Sequence, residues 1–170
     1  MERIIGDKEA FAIEFEISNE MQFMGYAKLW LQGNLLGAPK DLIYFEGYLF
    51  DLLDQFCNSR ILEDKFANDS VYKVYRLLKK YTYELYDENY KASIYSCSGA
   101  TFTDDFYVFS YLEKGIINIL WKVRKNANYA DIKKLGGGLF HFKMEQIKFC
   151  KLVIEYKKYI RNFLPPFRVL

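Results

Sequence analysis

A chain of 170 residues that is 51% hydrophobic and 19% aromatic, with 15 Tyr and 15 Phe, holds enough apolar surface for one packed core, which excludes intrinsic disorder. A formal charge of +2 and a pI near 8.3 are modest for a surface devoted to nucleic acid. Cys57, Cys97 and Cys150 are odd in number, widely spaced and form no CxxC, which fits reduced thiols better than a disulfide framework.

The N-terminus, MERIIGDKEA, lacks the basic-then-apolar order of a secretory leader, and no apolar run approaches the ~20 residues that span a bilayer. The expectation is a single cytoplasmic domain over residues 1–170, with no membrane association. In the stretch IIGDKEAFAIEFEI, the residues Phe11, Ile13, Phe15 and Ile17 return with period two, so residues 10–18 read as a strand. Glu14 and Glu16 then belong to its opposite, solvent-facing side. FMGYAKLWLQ, residues 23–32, reads as a second strand after a turn at Asn19 and Glu20. Gly33 and Asn34 mark the next turn, after which LLG either returns as a short third strand or leaves the sheet at Gly37.

Pro39 and Asp41 signal a helix start, and Leu42, Phe45, Leu49, Leu52, Leu53 and Phe56 follow at helical spacing up to Cys57. A second helix is expected from Ser70, as N-cap, through Val71, Val74, Leu77, Leu78 and Tyr81, with Lys73, Arg76, Lys79 and Lys80 on its polar face. ASIYSC, FYVFSYL and IINILWKV read as strands, the last two joined by a hairpin turn at Glu113, Lys114 and Gly115. LFHFKM is a further strand, and EQIKFCKLVIEYKKYIRNFL a long final helix that Pro165 and Pro166 terminate. The order of strands, helices, strands and helix argues for an α+β fold with a mostly antiparallel sheet, an N-terminal meander plus a central hairpin, packed with about three helices.

Candidate chemistry is sparse. GGG at 136–138 follows Lys133 and Lys134, but no GK[ST] comes after it and a strand does, so it reads as a turn rather than a phosphate cradle. His141, the one histidine, has no spacing partner for a metal or a nucleophile. The thiols carry no Cys/His signature. The final helix mixes Lys148, Lys151, Lys157, Lys158 and Arg161 with Tyr156, Tyr159 and Phe163, the composition of a nucleic-acid surface, but the modest pI favours a helix packed on the sheet with its charge outward. Carboxylates gather in loops at Glu84, Asp87 and Glu88 and at Asp104 and Asp105, without metal-binding spacing; they are the candidate partner-binding residues. Charge is uneven along the chain: residues 1–112 hold 11 Lys+Arg against 18 Asp+Glu, and residues 113–170 hold 13 against 4. The halves are therefore expected to attract each other or a partner.

The opening IIGDKEAFAIEFEI, followed by GYAKLWLQGNLLG with Trp30, Gly33 and Gly37, resembles the start of the immunity protein 42 family of bacterial polymorphic-toxin and contact-dependent growth inhibition systems. The hairpin ending IINILWKV, with Trp121, is similar too. That resemblance implies a small cytoplasmic protein that binds and blocks the C-terminal effector domain of a cognate toxin, without a catalytic residue, cofactor, metal or small-molecule substrate. It supplies no contact motif, so the acidic candidates rest on charge and loop position alone. A monomer or weak dimer is expected. The alternatives are a nucleic-acid-associated accessory protein using the basic C-terminal helix and an enzyme without recognised motifs, which loss of activity on His141→Ala would favour.

Overall fold

The computed structural model describes residues 1–163. Five strands form the N-terminal sheet: β1 (Arg3–Asp7), β2 (Phe11–Asn19), β3 (Met24–Leu31) and β4 (Asn34–Leu36) lie in that order, and β5 (Ile43–Tyr44) pairs with the other end of β3. Every pairing is antiparallel. Phe11, Ile13 and Phe15 are at most 1% exposed, as their alternation requires, and LLG returns as β4. β1 was not expected, because two consecutive isoleucines, Ile4 exposed and Ile5 half-buried, hide its period.

A second, three-stranded antiparallel sheet follows, with β6 (Phe106–Glu113), β7 (Ile116–Val123) and β8 (Phe140–Glu145) in that order. Lys114 (φ 50°) and Gly115 (φ 79°) both turn left-handed at the β6–β7 hairpin, the backbone sense that matches strand twist. Phe106, Val108, Ile117, Ile119, Trp121 and Phe142 share a core with the inner face of the first sheet. On the reverse side Phe109, Tyr111 and Leu120 pack under a helix carrying Val74, Tyr75 and Leu78. Covered on both faces, β6 and β7 are buried along most of their length rather than on alternate residues.

The helices depart from the expected boundaries. A π-helical turn over Phe45–Phe50 leads into α1 (Asp51–Cys57), later than Pro39 and Asp41 signalled. Leu42, 44% exposed, is not a helix-face residue, and the two after it are spent on pairing β3. α2 (Val71–Lys79) starts after Ser70, whose carbonyl accepts from Lys73 N and Val74 N while its hydroxyl makes no cap bond, and a π-turn continues it through Lys80–Glu84. ASIYSC is not a strand: Ala92–Tyr95 is a 3-10 turn that buries Ala92 and Tyr95, and only Ser96 bridges to Phe109. A short α3 (Ala130–Lys133), also unexpected, precedes the glycine turn. α4 (Gln146–Arg161) is the long final helix; Pro165 and Pro166 lie outside the described residues.

α4 closes the main core. Phe149 and Tyr156 lie against Phe11 with ring centroids 4.8 and 4.9 Å away, and the Tyr156 hydroxyl donates to Phe11 O at 3.1 Å. Trp121, fully buried, stacks on Phe140 and donates its Nε1–H to Leu35 O at 3.0 Å, joining the two sheets.

Candidate functional site

Glu14 does not face solvent. It is 7% exposed: Lys28 stands directly opposite it on β3 and pairs with its carboxylate, as does Lys8, and Trp30 Nε1 donates to Oε2 at 3.0 Å. Burial pushes this carboxyl up, but hydrogen bonding with Glu2, Lys28, Lys8 and Trp30 outweighs it and holds the pKa at about 2. Glu16 is exposed and accepts from the N-terminal ammonium at 2.8 Å, which lowers its pKa. The outer face of the first sheet is thus a self-neutralised charge cluster, and the expectation that Glu14 is solvated there is corrected.

His141 Nε2 lies 2.8 Å from Asn118 Oδ1, and burial followed by the charge of Lys143 lowers its pKa, so the ring is neutral at pH 7. Burial raises the Cys97 thiol to about 11. Burial, then hydrogen bonding with Cys150, raises that of Cys57, so neither is a ready thiolate. Among the described residues no three His, Cys, Asp or Glu side chains are grouped as metal ligands.

Two of the five cations of α4 are engaged. Lys157 donates to both oxygens of Asp54 at 2.7 Å, Arg161 grips Glu46 through Nε and Nη2 at 2.7 and 2.8 Å, and both cations lie over the Phe50 ring. Tyr156 is buried. This part of the cation–aromatic mixture holds α4 to α1 and the turn before it, while Lys148, Lys151 and Lys158 are exposed and form no ion pair among the described residues.

The acidic candidates separate. Glu84, Asp87 and Glu88 come together in a shallow cleft with Tyr81, Tyr83, Tyr86 and Tyr90, and Lys91 at its side. Tyr81 and Tyr90 stack at 4.4 Å, while Tyr86 is 87% exposed and Leu85 and Tyr83 are each 46% exposed. Asp87 Oδ1 accepts from Asn89 N at 2.9 Å, which fixes the loop. Glu84 pairs with Lys79, whose hydrogen bond lowers its pKa. Asp104 is exposed at the turn before β6 and does not line this cleft. Asp105, only 4% exposed, accepts from Asn128 N at 2.7 Å through Oδ1, and its own carbonyl accepts from Arg124 N. Its carboxylate organises the loop after β7 and presents little charge outward, a correction to its reading as an exposed contact.

Beside the cleft lies a surface that the sequence did not disclose, where rings of Tyr83 and Tyr107 sit under the Arg124 guanidinium at 5.8 and 4.5 Å. Its parts come from the π-turn after α2, from β6 and from the residue that follows β7, and only the folded register joins them.

A model of the immunity protein 42 family matches residues 3–159. The chain belongs to the immunity protein 42 family. No curated protein matches it by sequence. Among solved structures, the crystal structure of CdiI from Burkholderia dolosa AUO158 aligns with 92% of this chain and 99% of that one, with a TM-score of 0.59 at 12% identity, which shows a shared fold. As an immunity protein, the chain neutralises a toxin, and the site to be sought is a protein-docking surface.

Proposed function

We propose that this immunity protein acts in the cytoplasm, one-to-one and by occupancy rather than by catalysis, on the C-terminal effector domain of a contact-dependent, polymorphic toxin. The observation that carries the choice of surface is the cleft of Glu84, Asp87 and Glu88 among exposed tyrosines. Carboxylates on a loop steer a basic partner into encounter, and tyrosine offers large, rigid contact area that slows its departure. Asp104 adds charge at the next loop. Protection that outlasts toxin entry calls for nanomolar affinity, about 12 kcal/mol.

The test is co-expression with the C-terminal domain of the toxin encoded beside this chain, paired with measured association rates. Wild-type protein is expected to rescue growth and to inhibit at near one-to-one stoichiometry. Asp87→Lys/Glu88→Lys is expected to slow association about tenfold at low salt and to flatten its salt dependence. Glu16→Lys, on the far sheet, leaves the rate unchanged. Full protection at substoichiometric protein, through modification of the toxin, contradicts occupancy; an unchanged rate in the loop variant moves the contact surface elsewhere.

A further inference from the structure

Along α2 and the π-turn that continues it, Tyr72, Arg76, Lys79 and Tyr83 recur at i, i+4, i+7 and i+11 and so form one stripe. Beside the stripe, Tyr107 and Lys122 are cross-strand partners on β6 and β7. The two sets interlock: Lys122 Nζ lies 5.9 Å from the Tyr72 centroid, Lys79 Nζ 5.1 Å from that of Tyr107, and Arg124 covers Tyr107 and Tyr83. Arg124 Nε donates to Phe106 O at 2.9 Å, which fixes the guanidinium plane. Tyr72 is 50% exposed and Arg76 is exposed, so the surface is open.

Its charge is unbalanced. Among the described residues, Lys73, Arg76, Lys80, Lys122 and Arg124 form no ion pair, and Glu84 at the end of the stripe is already held by Lys79. Arg76 and Lys80 have as counter-charge Glu84, which Lys79 already holds, and Lys122 and Arg124 lie over tyrosine rings, so this face has charge to offer a docked acidic partner.

We infer that this cation–tyrosine face of α2, β6 and β7 is a docking surface for an acidic patch on the toxin's effector domain, continuous with the acidic cleft at residues 84–88, so that the interface is dipolar. The inference rests on the proposed function and extends it by giving the partner's charge pattern: carboxylates over Arg76, Lys122 and Arg124, cations over Asp87 and Glu88. Two features favour a protein over a nucleic acid. The tyrosine faces that would stack on bases already carry cations. The adjoining Glu84, Asp87 and Glu88 would repel a continuing phosphate backbone. Opposite charges placed side by side also fix the orientation of docking, since a partner turned end for end meets like charge at both ends.

The experiment measures binding of wild type, Arg76→Glu/Lys122→Glu and Lys148→Glu/Lys151→Glu to the isolated C-terminal domain of the adjacent toxin, with circular dichroism and thermal unfolding of each. The α2–β7 variant is expected to lose about 100-fold in affinity and the α4 variant less than about threefold. Lys80→Glu, a single exposed change, is expected to lose about fivefold and decides the matter if the double variant does not fold. Wild-type affinity in a folded Arg76→Glu/Lys122→Glu overturns the inference and leaves the proposed function standing, whereas failure of wild type to bind overturns the proposed function itself. A 30-nucleotide RNA is run in parallel. Salt-sensitive RNA binding that the double variant abolishes, with toxin affinity intact, also overturns the inference and assigns the face to nucleic acid.

Discussion

At Glu14, two opposed effects meet on one carboxylate. Loss of water favours the neutral acid, and the surrounding Lys28, Lys8 and Trp30 favour the anion; the anion prevails, with a pKa of about 2 against an ordinary 4.5. Because the folded value is depressed, the group contributes stability that is fully present above pH 4.5 and is lost as pH falls through about 2. Glu14→Gln is expected to lower the stability obtained from urea unfolding by about 2–3 kcal/mol at pH 7, since two lysines then share a site without its anion. Near pH 2 the variant and wild type converge, and a gap that persists there rules out an electrostatic origin. Alternation correctly assigned Glu14 to the face opposite Phe11 and Phe15, yet it carries no information about cross-strand neighbours. The register sets Lys28 opposite Glu14 and the large Trp30 opposite the small Ala12, and that pairing covers the carboxylate.

Among the elements, the strands with strict period two were legible from the residues themselves, and so was the β6–β7 turn. The misread pieces are those in which tertiary partners outvote local preference. Ile43 and Tyr44 continue an apolar helical pattern but pair with the end of β3. ASIYSC has strand composition, yet Tyr95 turns inward, where its hydroxyl donates to Ile61 O and accepts from Glu63 N, each at 3.1 Å. A link between the two sheets could not be read from spacing, because Trp121 and Leu35 lie 86 positions apart. Trp121→Phe removes the donor to Leu35 O and part of a fully buried ring. It is expected to cost about 2–3 kcal/mol, read from the midpoint of denaturant unfolding, with retention of the far-ultraviolet circular dichroism of the native fold. A change under about 0.5 kcal/mol would mean that the sheets are held together by the rest of the core.

Over the whole molecule, the uneven charge finds partners within the chain as well as outside it. The basic C-terminal segment binds the acidic first half through Lys157 with Asp54 and Arg161 with Glu46, and Lys40 pairs with Asp131 in the opposite sense. These pairs are partly exposed and contribute little each, so Glu46→Gln/Asp54→Asn is expected to cost no more than about 1 kcal/mol and to match wild type in 0.5 M salt, about half the salt at which the Debye length reaches ~3 Å. Hydrogen exchange in the last turns of α4 should rise in that variant at low salt; unchanged protection would show that Phe149, Val153 and Ile160 alone hold the helix. The asymmetry was visible in the sequence, but not its division between internal pairs and the cation-rich face of α2, β6 and β7. Helical spacing gives the stripe on α2, and nothing short of the folded strands sets Lys122 and Arg124 beside it.

The contact between Tyr156 and Phe11 spans 145 positions, and it makes the cover of β2 wait for the synthesis of α4. At about 5–20 residues per second, a ribosome needs roughly 7–30 s to travel that distance, during which the apolar side of β2 has left the exit tunnel and its cover has not been made. A chain halted before α4 exposes Phe11, Ile13 and Phe15 and is open to proteases and to aggregation. A ribosome stalled between β5 and α4 therefore leaves a chain whose first sheet is built but uncapped.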